Sequence, residues 1–159
     1  MATIKYKSPI GDIFLSARDG YVTELYFYGG ITTPPTLKED TPSPVDAKIF
    51  ESLTKELDAY FAGTLREFTV PLKPVGTPFR MKVWEALQTI PYGETISYKE
   101  LAKRIGNPKA IRAVGGANHH NPISIIIPCH RVIGASGKLV GYGGGLNVKE
   151  FLLELEKNT

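Results

Sequence analysis

Apolar and polar positions alternate loosely over residues 4 to 28, as in Ile13-Phe14-Leu15 and Val22-Thr23-Glu24-Leu25-Tyr26-Phe27. A period near two belongs to strands with one buried face, and Ser8-Pro9-Ile10-Gly11 and Arg18-Asp19-Gly20 supply turns, so the pattern predicts a small antiparallel meander. Gly29-Gly30 and the stretch 32–44, with four prolines, read as an exposed loop that carries no nameable chemistry. The period then lengthens. Ser43-Pro44-Val45-Asp46 offers an N-cap, a proline at the first helical position and an acid reaching back. Ile49, Phe50, Leu53, Leu57, Tyr60 and Phe61 form an apolar stripe ending at Gly63, the spacing of a helix that covers the sheet.

Phe68 to Gly76, with Pro71 and Pro74, reads as an extended connector, and short capped helices follow it. Thr77-Pro78 starts one with Phe79, Val83, Trp84 and Leu87 inward, closed by Pro91-Tyr92-Gly93. Ser97-Tyr98-Lys99-Glu100 is a capping box, followed by Leu101, Ala102 and Ile105 on one face and Gly106 as the stop. Asn107-Pro108 caps another helix at once. Two short helices around a glycine turn are the pattern of a helix-turn-helix. Projected at about 100° per residue, the second helix puts Ile111 and Val114 inward and Lys109, Arg112, Ala113 and Gly116 outward. That outward face is basic and otherwise nearly bare. It suits close approach to a nucleic-acid groove, and it equally suits an ordinary surface helix with two cations.

Asn118-His119-His120-Asn121-Pro122 reads as a polar loop leading to Ile125-Ile126-Ile127-Pro128-Cys129-His130-Arg131-Val132. Three isoleucines predict a short strand buried on both faces, which Pro128 ends, so that Cys129 emerges at the edge of the core. Position alone leaves two readings open for this thiol: a small buried hydrophobe, or a nucleophile. All three histidines and the cysteine lie between 119 and 130, but their spacing matches no zinc motif and no carboxylate accompanies them. Six glycines in the twelve residues from Gly134 to Gly145, around Tyr142, lack the order of a phosphate loop. Asn147-Val148-Lys149-Glu150 caps a last helix with Val148, Phe151, Leu152 and Leu155 inward and Glu154 and Glu156 near its end.

Composition narrows the class. The 159 residues hold one cysteine, no 18-residue apolar run and no signal-peptide pattern, so a membrane span, a disulfide framework and secretion are not indicated. The expectation is an intracellular, cytoplasmic protein (nuclear if eukaryotic). Residues 1–74 carry 8 Lys/Arg against 10 Asp/Glu, and residues 75–159 carry 11 against 6. The basic half is the half with the helix pair, which favours a polyanionic partner.

Gly106-Asn107-Pro108-Lys109-Ala110-Ile111-Arg112-Ala113-Val114-Gly115-Gly116-Ala117, then Pro128-Cys129-His130-Arg131-Val132, then Tyr142-Gly143-Gly144-Gly145-Leu146, closely resemble the O6-alkylguanine-DNA alkyltransferases in order and spacing. The resemblance is dense over 77–157 and holds only in outline before that. It implies an α+β fold: a small N-terminal β-sheet domain, ribonuclease-H-like, over 1–74, and a mostly helical, winged-helix-like domain with a helix-turn-helix over 75–159. It implies direct reversal of DNA damage, with the alkyl group of O6-alkylguanine, and of O4-alkylthymine, passing irreversibly to Cys129. The helix at 108–117 would lie in the minor groove, with Arg112 filling the gap left by a flipped base and Lys109, Ala110, Ala113, Gly115, Gly116 and Arg131 completing the DNA surface.

In the chemistry so implied, His130 activates the thiol through a water, Glu156 orients the imidazole, Asn121 fixes the active-site turn and Tyr98 meets charge on the leaving guanine. Val132, Tyr142, Gly143, Gly144 and Asn118 would form the base pocket, with glycine at 143 where serine is frequent in the family. No metal or other cofactor is expected, and residues 1–76, without Cys or His, cannot form the zinc site of some relatives. The expected partner is double-stranded DNA carrying alkylated guanine, bound by a monomer with no obligate protein partner and no membrane. A thioether offers water no activated carbonyl, so each molecule should act once. A damage binder without catalysis and a multiple-turnover cysteine hydrolase are the competing readings.

Overall fold

The structure, a computed structural model, describes residues 2–27, 42–134 and 146–159. It opens with an antiparallel meander of β1 (Ala2–Ser8), β2 (Gly11–Arg18) and β3 (Tyr21–Phe27) in the order β1-β2-β3. Asp19 and Gly20 make the second turn at φ 52° and 84°, both left-handed, which matches the twist of a tight hairpin. The helix α1 (Pro44–Phe61) lies against this sheet, with Phe50, Leu53, Leu57 and Tyr60 buried. Ser43 caps it by accepting the Asp46 N–H, while the Asp46 carboxylate accepts the N–H of Gly20 and ties the helix start to the hairpin turn. Each of the two fully buried leucines contributes roughly 1.5–3 kcal/mol of transfer free energy.

The second half is built on α2 (Pro78–Leu87), α3 (Tyr98–Arg104), α4 (Ile111–His119) and α5 (Leu146–Asn158). A short parallel pair joins β4 (Ile96–Ser97) to β5 (Val132–Ile133). Thr77 and Ser97 cap α2 and α3 by accepting the N–H groups of Arg80 and Glu100. Trp84 is buried and its indole N–H donates to the Ala117 carbonyl at 2.8 Å, which fixes α4 on α2. Gly76 passes so close to that indole that a Cβ there would fall 2.4 Å from the ring.

The halves meet along the edge of β3. Val22 pairs with the connector through Pro71 and Lys73, and Leu25 exchanges backbone hydrogen bonds with Pro122 and Ser124. This pairing corrects the expectation of a strand at Ile125–Ile127. The ladder partner is Ile123, two residues earlier, and the isoleucines turn tightly with Ile125 at φ 69° and Ile126 half-buried. Once β3 holds Pro122 and Ser124, the next N–H groups close locally, Ile126 onto Ser124 and Ile127 onto Ile123.

The helix pair is present, but α4 starts at Ile111 and not at Pro108. The Asn107 N–H is taken by Ala102 in finishing α3, and Ala110 closes a turn on Asn107, so Lys109 and Ala110 precede the helix. The helix also runs further than expected, through Asn118 and His119. Ile111 is 41 % exposed rather than inward, because α4 packs through Val114 and Ala117 and its first turn lies beyond that contact. In α5 Leu152 is buried as the apolar pattern expects, but its most buried companions are charged. The buried positions are Lys149, Leu152 and Glu156, whereas Val148, Phe151 and Leu155 are only half-buried.

Candidate active site and nucleic-acid face

Cys129, His130 and Arg131 form a single 3-10 turn between the isoleucine turn and β5. Pro128 enters it with φ −79°, as its ring requires, and the Cys129 carbonyl accepts the N–H of Val132 at the exit. The turn is clamped from two sides. Asn121 accepts the Ile123 N–H and donates to the Ile127 carbonyl at 2.8 Å, and Asn118, buried on α4, donates to the Cys129 carbonyl at 3.3 Å. Both asparagines therefore hold the backbone that carries the thiol.

Cys129 is 4 % exposed. Burial raises its thiol pKa, opposed by hydrogen bonding from Asn121, by the positive charge of Lys149 and by Ser124. His130 is fully buried, and burial pushes its pKa down against the opposing pull of Glu156, with the cations Arg131 and Lys149 adding to the depression. The imidazole is accordingly neutral at neutral pH. Its Nε2 lies 2.6 Å from Glu156 Oε2, and since a carboxylate only accepts, the ring proton sits on Nε2. Nδ1 then presents a lone pair, and it is buried with no hydrogen-bond partner among the described residues.

Glu156 is the hub. Burial would raise its pKa, but hydrogen bonds and charge from His130 and Arg131 outweigh burial and hold the carboxyl well below the usual carboxylate range. Arg131 donates Nε–H to Oε1 at 2.8 Å and Nη2–H to Oε2 at 3.1 Å. Tyr60 donates its hydroxyl to Oε2 at 2.6 Å, and the Gly93 N–H reaches Oε1 at 3.2 Å. Arg131 was expected on the DNA surface, and the structure corrects this. Its guanidinium is buried between Glu156, the Ile90 carbonyl and the face of Tyr92, since a carboxylate inside the fold needs a fixed cation.

Lys149 belongs to the site although its residue type and the apolar pattern around it concealed this. The side chain is buried, its ammonium donates to the Val132 carbonyl at 2.6 Å and lies 6.0 Å from the centre of the Tyr98 ring. Desolvation lowers its pKa to about 8, with Cys129 opposing. The available signal was the spacing of 149, 152 and 156, one face of a helix carrying two charges around a leucine. Tyr98 is half-buried beside Gly115, and burial keeps its phenol protonated well above neutral pH. The Val132 carbonyl accepts from Lys149, and the Cys129 carbonyl accepts from the Asn118 amide and the Val132 N–H.

On α4, Arg112, Ala113 and Gly116 are exposed, Gly115 is half-buried, and Lys109 is exposed just ahead of the helix. Six residues separate Arg112 from Asn118, roughly 9 Å of helix rise, so one rigid element links the exposed guanidinium to the backbone of the thiol. Tyr142, Gly143 and Gly144 lie outside the described residues. Among the described residues no group of three or more His, Cys, Asp or Glu is placed to hold a metal ion, and no helix is long and apolar enough to cross a membrane.

Residues 1–74 match the family model of the 6-O-methylguanine DNA methyltransferase ribonuclease-like domain, and residues 78–158 match that of the DNA-binding domain. A methylated-DNA--protein-cysteine methyltransferase of Methanosarcina acetivorans is 51% identical, over 95% of this chain and 95% of that protein. One from Mycobacterium bovis is 55% identical, over 95% of this chain and 89% of its own. The crystal structure of Mycobacterium tuberculosis OGT in complex with DNA superimposes with a TM-score of 0.87 at 51% identity, covering 99% of this chain and 94% of that one. With both halves matched by its two family models and relatives 51% and 55% identical over 95% of the chain, the protein belongs to the 6-O-methylguanine DNA methyltransferase family.

Proposed function

We propose that this protein repairs DNA by direct reversal, moving the alkyl group of O6-alkylguanine, and of O4-alkylthymine, onto Cys129 in a single irreversible turnover. The carrying observation is the buried His130–Glu156 pair next to Cys129, in which Nε2 is anchored on the carboxylate and Nδ1 has no hydrogen-bond partner among the described residues. Such an imidazole is a base that needs no reorientation. His130 takes the thiol proton through one water, the sulfur attacks the alkyl carbon, an S–C bond forms and the O6–C bond breaks. The thiol's proton ends on the guanine. Tyr98, kept as a phenol by burial, donates toward the leaving base, and Lys149 stabilises the thiolate.

The target atom faces into a stacked duplex, so the base must be flipped out. Arg112 enters the stack from the minor groove, where Ala113, Gly115 and Gly116 allow the helix close approach and Lys109 meets a phosphate. We assign 1–74 as a supporting domain and 75–159 as the DNA-binding and acceptor domain of a cytoplasmic monomer without an obligate protein partner. The test is direct. Incubation with a duplex carrying O6-methylguanine should add one methyl group to Cys129 by mass spectrometry and stop at one per molecule. Full duplex binding without mass gain would leave only a damage binder, and repeated turnover would indicate a hydrolase.

A further inference from the structure

We infer that Tyr60, contributed by the N-terminal half, is a positioning residue for alkyl transfer: through its hydroxyl it sets how strongly Glu156 holds the His130 proton. This rests on the proposed role of His130 as base. Tyr60 is fully buried, sits 96 residues from Glu156, and donates at 2.6 Å to Oε2, the same oxygen that receives the His130 Nε2–H. With Arg131 Nη2–H at 3.1 Å, three donors share that oxygen and compete for its electron density. A phenol already bound there weakens the carboxylate as a partner for imidazolium and so tempers the basicity of Nδ1.

The surroundings leave Tyr60 as the adjustable member of this set. Arg131 from the 3-10 turn is a permanent cation on both carboxylate oxygens, and the Gly93 N–H from the loop after α2 is fixed backbone. The charge of Lys149 on α5 also acts on His130 and lowers its pKa, and Tyr92, stacked against Arg131, meets the Tyr60 ring edge-on. The Tyr60 ring is held by Phe61 and Phe68 as well, so removing its hydroxyl leaves the aromatic packing intact.

The experiment compares the parent with Tyr60→Phe and with 3-fluorotyrosine placed at 60, in the full chain. Ring-nitrogen shifts of His130, read by NMR across pH without DNA, should show its protonation midpoint rising by about one unit in Tyr60→Phe, the scale of one hydrogen bond to an ionised group. The more acidic fluorophenol should move the midpoint the other way. The acid limb of the methyl-transfer rate should follow in both variants, with duplex affinity unchanged. Equal midpoints in all three folded proteins would overturn the inference. If the midpoints move while the parent fails to methylate Cys129, the control of the His130 proton by Tyr60 stands and the proposed function, with Tyr60's part in alkyl transfer, falls. Should Tyr60→Phe fail to fold, the fluorotyrosine protein alone decides by the presence or absence of a downward shift.

Discussion

The Glu156 carboxylate lies 2.6 Å from His130 Nε2 and, on its other oxygen, 2.8 Å from the Nε of Arg131, the next residue in sequence. One buried anion thus orients the base and neutralises the cation beside it. Glu156→Gln keeps the size of the side chain and removes the charge, leaving Arg131 buried without a counter-ion. The expected cost is about 3–5 kcal/mol in urea unfolding, together with a loss of methyl-transfer rate of at least about 10²-fold in the molecules that remain folded.

Cys129→Ser should bind methylated duplex as the parent does and gain no methyl group. His130→Gln retains the thiol and should still be methylated once, at a rate lower by about 10²–10⁴-fold in rapid-quench measurements. A His130→Gln protein that reacts at the parental rate would remove the general base from the mechanism.

Arg112→Ala tests the exposed face. Its rate on a methylated duplex should fall far more than its rate on free O6-alkylguanine base, because only the duplex requires the stack to be opened. Lys109→Ala should weaken duplex binding uniformly and reduce the salt slope of the binding constant by about one. Equal losses on duplex and free base for Arg112→Ala would place that residue in the pocket and not in the groove.

The meander, the α1 stripe and the capping boxes were legible because each is encoded within a few residues: alternation, a Ser-Pro start, a glycine stop. At 129–130 residue type and position left the thiol open between a packed and a reactive role, and the nucleophile was implied only by the resemblance that three motifs in order carry. What the sequence concealed depends on long-range competition. Ile125–Ile127 has the composition of a strand, but β3 pairs with Pro122 and Ser124 and leaves the isoleucines to turn. Lys149 and Arg131 look like solvated cations until Val132 and Glu156 are seen to receive them. Periodicity weighs apolar residues only, so it marked Leu152 as inward and left the buried charges on either side of it, Lys149 and Glu156, unmarked.

Lys149→Met keeps much of the volume and removes a positive charge that acts on the thiol. The transfer rate at pH 7 should fall, and the pH giving half the maximal rate should move upward, since Lys149 is one of the groups lowering the Cys129 pKa. A profile superimposable on the parent would show that the ammonium serves only the Val132 carbonyl.

Acid should destabilise the fold in two stages. His130 has a depressed pKa when folded, so below its ordinary value of about 6.5 the unfolded chain binds the proton first and stability declines as pH falls. Glu156 is also depressed; its stabilisation is complete above the ordinary carboxylate value of about 4.5 and is lost progressively as pH falls below it. Urea midpoints measured from pH 8 to pH 3 should show both declines, and the first should be absent in His130→Gln.

Trp84 is the single tryptophan of the chain, and its indole N–H is bonded to the Ala117 carbonyl of α4 while Gly76 of the connector lies against its ring. The chromophore therefore touches α4 on one side and the link to the N-terminal half on the other. Indole emission shifts with the polarity and geometry around the ring, so the protein carries an intrinsic optical gauge on the element that would meet DNA. Any event that shifts α4 against Trp84, such as docking on a duplex, should therefore register in its emission, in unlabelled protein and without perturbing the site.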